Sequence, residues 1–96
     1  MIHIRLTGTY RSMYHSLILI NPKYVQMTAQ KVLLFAQKPN DSRLKNHSLQ
    51  RRMKGKWAFS IDDDVRNIYQ WSDKKTARFL AIGGHEIVYG RKKQRS

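Results

Sequence analysis

The chain contains no cysteine. That excludes disulfide frameworks and thiolate metal sites, and it fits a reducing compartment. Acid is almost as scarce: 6 Asp and Glu face 19 Lys and Arg, a net charge of +13 on 96 residues. Long apolar runs are missing too. Leu17–Ile20 and Val32–Ala36 are the longest, far short of a bilayer span. The start of the chain, Met1 to Thr7, lacks the apolar core of a signal peptide. A soluble, cytoplasmic protein is expected. Walker loop, GxSxG elbow, dinucleotide fingerprint and internal repeats are all lacking. Asp62-Asp63-Asp64 is an acidic run without calcium-loop spacing, and His3, His15, His47 and His85 form no local ligand pair. No metal is therefore expected.

What remains is a small, basic, foldable chain. Apolar residues make up 41% and aromatics 10%, which argues for a packed globule. One domain, residues 1–96, is the expectation, and a chain this short buries roughly 60–65% of its unfolded surface. So large a positive excess repels itself and calls for an anionic partner. No helix carries the strongly basic polar face that a membrane binder uses. Nucleic acid and acidic protein are left as partners.

Along the chain, residues 2–6 alternate weakly as a first strand. Tyr10, Met13, Tyr14, Leu17 and Ile18 then fall on one helical face, with Thr7 or Thr9 as cap. Asn21-Pro22 restarts a helix, Asn as cap and Pro at the first position. Val25, Ala29, Val32, Leu33 and Ala36 form its apolar stripe, and Pro39-Asn40-Asp41 ends it. Residues 40–55 read as a loop. Strands are predicted over Lys56–Ile61, Asp64–Trp71 and Ala77–Ile82, with Asp62-Asp63 and Ser72–Lys75 as turns. The tail from Arg91 is expected to be mobile. The order β-α-α-β-β-β predicts an α+β domain: a small antiparallel sheet with a helical hairpin on one face and the other face open.

Several residues carry chemistry. Arg43 to Lys56 is rich in cations and free of acid, which suits a phosphate-tracking loop or simply a solvated one. Asp64 and Arg66, two apart on a strand, point the same way. They form either a structural pair or a base and a phosphate stabiliser. Gly83-Gly84-His85 closes the last strand, and His85 and Tyr89 share a face if a helical turn follows. A surface histidine and a core-edge tyrosine are the ordinary alternative.

Taken together, these segments resemble the RelE/ParE superfamily of type II toxin–antitoxin toxins, in its RelE/StbE (YafQ-like) branch. The resemblance rests on four ordered motifs. They are Pro39-Asn40-Asp41-Ser42-Arg43-Leu44-Lys45-Asn46-His47-Ser48-Leu49, Lys54-Gly55-Lys56-Trp57, Asp64-Val65-Arg66-Asn67-Ile68-Tyr69, and Ile82-Gly83-Gly84-His85-Glu86-Ile87-Val88-Tyr89. It implies a cytoplasmic, ribosome-dependent mRNA endonuclease that needs no metal or cofactor. Cleavage would be transesterification by the RNA's own 2′-hydroxyl. Matched positions imply acid–base roles for His47 and His85, with Asp64 supporting one of them. Arg66 would stabilise charge, and Tyr89 would stack on a base or donate a proton. Arg51, Arg52, Lys54 and Lys56 would hold RNA backbone. The implied partners are an acidic antitoxin and mRNA on the ribosome, with rRNA contacts. The chain departs from the branch at Ser60, where close relatives have a histidine, and at Gln50-Arg51, where glycine is common. Two other readings share the scaffold: a ParE-like gyrase inhibitor, and a degenerate member that binds antitoxin or RNA without cutting. The nuclease reading requires His47 and His85 to gather around Arg66 on the uncovered side of the sheet.

Overall fold

The computed structural model describes residues 1–84. The elements are β1 (His3–Leu6), α1 (Gly8–Ile20), α2 (Lys23–Gln37), β2 (His47–Ser48), β3 (Trp57–Ser60), β4 (Arg66–Asp73) and β5 (Thr76–Gly83). Single 3₁₀ turns occupy Ser42–Leu44 and Arg51–Met53. The five strands form one sheet in the order β1-β5-β4-β3-β2. Two helices pack on one side of it, the expected α+β layering.

Thr7 starts α1. Its Oγ1 accepts from the Tyr10 N–H at 3.1 Å, and its hydroxyl donates to Phe79 O at 2.9 Å. One residue thus caps the helix and ties it to β5, a contribution of about 1 kcal/mol for the cap. The start of α2 falls one position later than the sequence predicts. Pro22 takes the cap position without a side-chain bond, and the Asn21 N–H closes α1 on Leu17 O.

The sheet departs from expectation at both edges. β1 runs parallel to β5, so the sheet is mixed. The hairpins β3–β4 and β4–β5 leave one β5 edge free, and β1 fills it. There the His3 N–H donates to Lys75 O at 2.7 Å and the Thr7 N–H to Phe79 O at 3.2 Å. At the other edge, His47–Ser48 forms a two-residue strand inside the segment read as loop, pairing with Ala58 and Trp57.

The helix-side core is aromatic. Phe35, Phe59, Tyr69 and Phe79 are fully buried, and the Phe35 ring lies 4.8 Å from both Phe59 and Tyr69. Full burial of each ring contributes about 1.5–3 kcal/mol. This cluster sets the rotation of α2, which keeps Val32 and Ala36 of the predicted stripe against the core and turns the rest of it outward. Tyr24, Thr28, Phe35 and Ala36 face inward, while Val25, Ala29 and Leu33 face solvent. Two stripes compete on that helix, and the one carrying Tyr24 and Phe35 buries more area. A second, smaller cluster of Leu49, Ala58 and Ile68 lies on the far face, with Met53, Leu80 and Ala81 against it. That face is partly roofed by the 49–53 segment, where the sequence suggested an uncovered surface. Among the described residues no helix is long and apolar enough to cross a membrane.

Candidate functional site

Paired residues on neighbouring strands share a face, so the register sorts the site residues directly. Tyr69 lies opposite Trp57 and Phe79, and all three look toward the helices. Ser60, Arg66 and Gly83 form one cross-strand row on the far face. His47, Ala58, Ile68 and Ala81 form the next. A register shift between Ile68 and Tyr69 skips Leu80, which keeps both Phe79 and Ile82 on the core side. His47 and Arg66 therefore share the face away from the helices. Strand spacings put their Cα atoms roughly 12 Å apart.

The backbone holds His47 in a defined state. Lys45 adopts the left-handed conformation (φ 52°, ψ 40°), which turns its carbonyl toward the imidazole. His47 Nδ1 lies 2.9 Å from Lys45 O. A carbonyl only accepts, so Nδ1 carries the proton, and in the neutral ring Nε2 keeps its lone pair. Asn46 anchors this turn. Its Nδ2 donates to Pro39 O at 2.9 Å, and its Oδ1 accepts from Tyr69 OH at 2.7 Å. Burial pushes the Tyr69 hydroxyl up to about 12. Tyr69 is thus a fixed donor from the core to the loop.

Arg66 is held by the β3–β4 turn. Its Nη1 donates to Asp62 O at 3.0 Å and to Asp63 O at 3.1 Å. These bonds fix the plane of the guanidinium and leave Nε and Nη2 without a hydrogen bond among the described residues. Asp62 builds the turn itself. Its Oδ1 accepts from the N–H groups of Asp64 and Val65, both at 2.9 Å. Its Oδ2 accepts from Tyr24 OH at 2.7 Å, linking α2 to the turn. Burial pushes the Asp62 carboxyl up, but the bonds from Tyr24, Asp64 and Val65 outweigh it and leave it lowered. Ser60, the position at which the chain departs from the family pattern, is buried and donates to Asp62 O at 2.7 Å.

Asp64 stands differently from its expected position. β4 begins at Arg66, so the strand argument for a shared face does not reach Asp64, which lies exposed in the turn. Arg66 bonds the turn carbonyls instead of the Asp64 carboxylate, and no hydrogen bond joins Asp64 to His47. Arg51, Arg52 and Lys54 are exposed on the segment beside the far-face cluster, and Lys56 is half-buried. Arg51 also adopts positive φ, at 58°. Arg43 is taken by a two-pronged bond to Asp41, at 2.9 Å for each contact, which holds the Asp41 carboxyl well below the usual range. His85, Tyr89 and the basic tail lie outside the described residues. Among those described, no three His, Asp or Glu residues gather into a metal-binding group.

Sequence reasoning missed Asn46, Tyr24 and Asp62. Asn46 sits beside His47 with an amide able to bridge loop and sheet, and Asp62 opens a turn sequence. Both signals were present, but each partner lies 23 to 38 residues away.

No protein-family model and no curated protein matches the chain by sequence. Solved structures do match it. YafQ from Escherichia coli strain BL21(DE3) is 22% identical with a TM-score of 0.76, covering 94% of this chain and 100% of that one. YafQ in the E. coli DinJ-YafQ toxin-antitoxin complex is 24% identical, with a TM-score of 0.74 over 93% of this chain and 98% of that one. The YoeB/ParE toxin from Agrobacterium tumefaciens is 15% identical, with a TM-score of 0.73 over 88% and 99%. Aligned over nearly their whole length, this chain and these bacterial toxins have the same fold.

Proposed function

We propose that this chain is the toxin of a type II toxin–antitoxin pair and acts as an endoribonuclease on mRNA in the translating ribosome. The observation that carries this reading is the far face of the sheet. On it, within a YafQ-like fold, stand an imidazole with a lone pair on Nε2 and a guanidinium held by backbone carbonyls.

The chemistry follows from those groups. His47 Nε2 takes the proton of a ribose 2′-hydroxyl. The 2′-oxygen attacks the adjacent phosphorus, forming a 2′,3′-cyclic phosphate as the P–O5′ bond breaks. A second proton-transfer group, His85 by the family resemblance, protonates the leaving 5′-oxygen. Arg66 offers Nε and Nη2 to the crowded phosphate oxygens. Each proton-transfer group supplies roughly 10²–10⁴-fold, and fixed donors stabilise the developing charge without reorganising. Alignment of the 2′-oxygen with the leaving group is a further large factor, supplied by the ribosome. Arg51, Arg52, Lys54 and Lys56 hold the RNA backbone.

The partner is an acidic antitoxin. The solved structures similar to this chain include the E. coli DinJ-YafQ complex and a YoeB-YefM toxin-antitoxin complex from Staphylococcus aureus. An acidic segment laid on a chain of charge +13 relieves its self-repulsion.

Primer extension on an mRNA incubated with the purified protein, with and without translating ribosomes, tests the reading. New 5′ ends in the presence of ribosomes, lost in Arg66→Ala, are expected. Intact mRNA under both conditions, together with blocked DNA replication on induction, would replace the nuclease with a gyrase poison.

A further inference from the structure

The far face continues beyond the rows that hold His47 and Arg66. On β4, four residues past Arg66 and so roughly 13 Å along the strand, Gln70 pairs with Arg78 of β5. Arg78 in turn lies in register with Arg5 of β1. In-register neighbours share a face, so Arg5, Arg78 and Gln70 form one row. Its side is fixed by the flanking residues: Ala77, Phe79 and Ile4 belong to the helix-side core. On the other side of Gln70, a Cβ added to Gly55 would lie 3.9 Å from Gln70 Nε2. The row therefore runs into the loop that carries Lys54 and Lys56.

Electrostatics make this row unusual. Arg5 and Arg78 are both exposed and stand on adjacent strands, about 4.8 Å apart in the backbone. Like charges directly opposite one another are destabilising. Among the described residues, the only ion pair is Arg43–Asp41, far from this row in sequence. Asp73, at the end of β4, uses its carboxylate on the Lys75 N–H at 2.8 Å and on Thr76. An anion seated between the two guanidinium groups converts their repulsion into attraction, and Gln70 adds a neutral donor beside it.

We infer that Arg5, Gln70 and Arg78 form a second phosphate site. Together with Lys54 and Lys56 it makes a strip across the sheet that holds single-stranded RNA away from the scissile bond. The inference rests on the nuclease reading and extends it. It assigns a substrate-binding role to β1 and β5, which lie outside the basic loop. The spacing from Arg66 fits a strand that passes the reacting phosphate and continues over the face, its backbone read without regard to base.

The test uses a labelled single-stranded RNA of about 12 nucleotides. It is 2′-O-methylated so that it binds without being cut, and its affinity is measured across a salt series with the full chain. Each single-strand phosphate contact contributes about 0.7 to the log–log salt slope. Arg5→Ala/Arg78→Ala should therefore flatten the slope by roughly 1.4 and weaken binding roughly 10- to 30-fold at 0.1 M salt. Arg5→Lys/Arg78→Lys should keep most of the slope. Both variants change exposed residues, and unchanged melting curves verify their folding. If the alanine variant binds with wild-type affinity and slope while ribosome-dependent cleavage persists, the strip is wrong and the nuclease reading survives. If wild-type protein neither binds this RNA nor cuts mRNA, both fall. If the alanine variant loses affinity for a polyglutamate peptide and none for RNA, the row serves an acidic protein and the inference is overturned.

Discussion

The two faces of one sheet are built to opposite rules. Toward the helices, Phe35, Phe59, Tyr69 and Phe79 interlock at ring separations of 4.8 to 6.4 Å. Polar groups there are few: Tyr10 OH donates to Asn67 Oδ1 at 2.7 Å, while Asn67 Nδ2 and Thr28 Oγ1 are buried without a hydrogen-bond partner among the described residues. On the far side the apolar cluster has only Leu49, Ala58 and Ile68 fully inside, ringed by cations. The contrast teaches that one layer a strand thick can carry a packed aromatic core on one side and exposed cations on the other. Alternation along β4 makes the separation possible, since Asn67, Tyr69 and Trp71 face inward while Arg66, Ile68 and Gln70 face out.

Substitutions on the two faces should therefore differ in kind. The largest loss of stability is expected from Phe35→Ala, about 3–5 kcal/mol by denaturant unfolding, because four aromatic rings lose their common neighbour. Ile68→Ala, buried on the far face, should cost about 2 kcal/mol, the low end for such a truncation, because its small cluster collapses more easily. An equal loss at Ile68 and Phe35 would erase the proposed difference between the faces. Tyr10→Phe leaves the buried Asn67 oxygen without its donor and should cost about 1–3 kcal/mol, seen as a lower denaturation midpoint.

A smaller effect is expected from pH. The Asp62 carboxyl is lowered in the folded chain. Its contribution is complete above the unfolded value of about 3.9 and is lost as pH falls through the folded one. The melting temperature should thus fall below about pH 4, and less steeply in Asp62→Asn than in the wild type. Identical acid slopes would show that the Tyr24–Asp62 link does not bear on stability.

Much of this architecture is legible in the amino-acid order. A threonine before the apolar stripe, Thr7 or Thr9, announces α1 because its hydroxyl can satisfy a free N–H, and the fold uses Thr7. The alternation of Trp57, Phe59 and Ile61 announces β3. The rotation of α2 is not legible, since Val25-Ala29-Leu33 is as good a stripe as Tyr24-Thr28-Phe35 until the sheet's aromatic rings are in place. β2 is hidden for a related reason: two residues carry no periodicity, and only pairing with β3 makes them a strand. At the site, Arg66 and His47 stand out as cations and imidazole in a basic setting. Asp62 does not, because a turn aspartate looks the same whether or not its carbonyl aims an arginine. A strand running from Asp64 would align its carboxylate with Arg66, but β4 starts two residues later, at Arg66.

His47 is the side chain whose loss most directly separates folding from cleavage. His47→Ala removes an exposed side chain and should shift stability by no more than about 0.5 kcal/mol. In the same preparation, ribosome-dependent mRNA cleavage, followed by primer extension over time, should slow roughly 10²–10⁴-fold. A folded His47→Ala protein that cuts at the wild-type rate would contradict the assignment of chemistry to the far face.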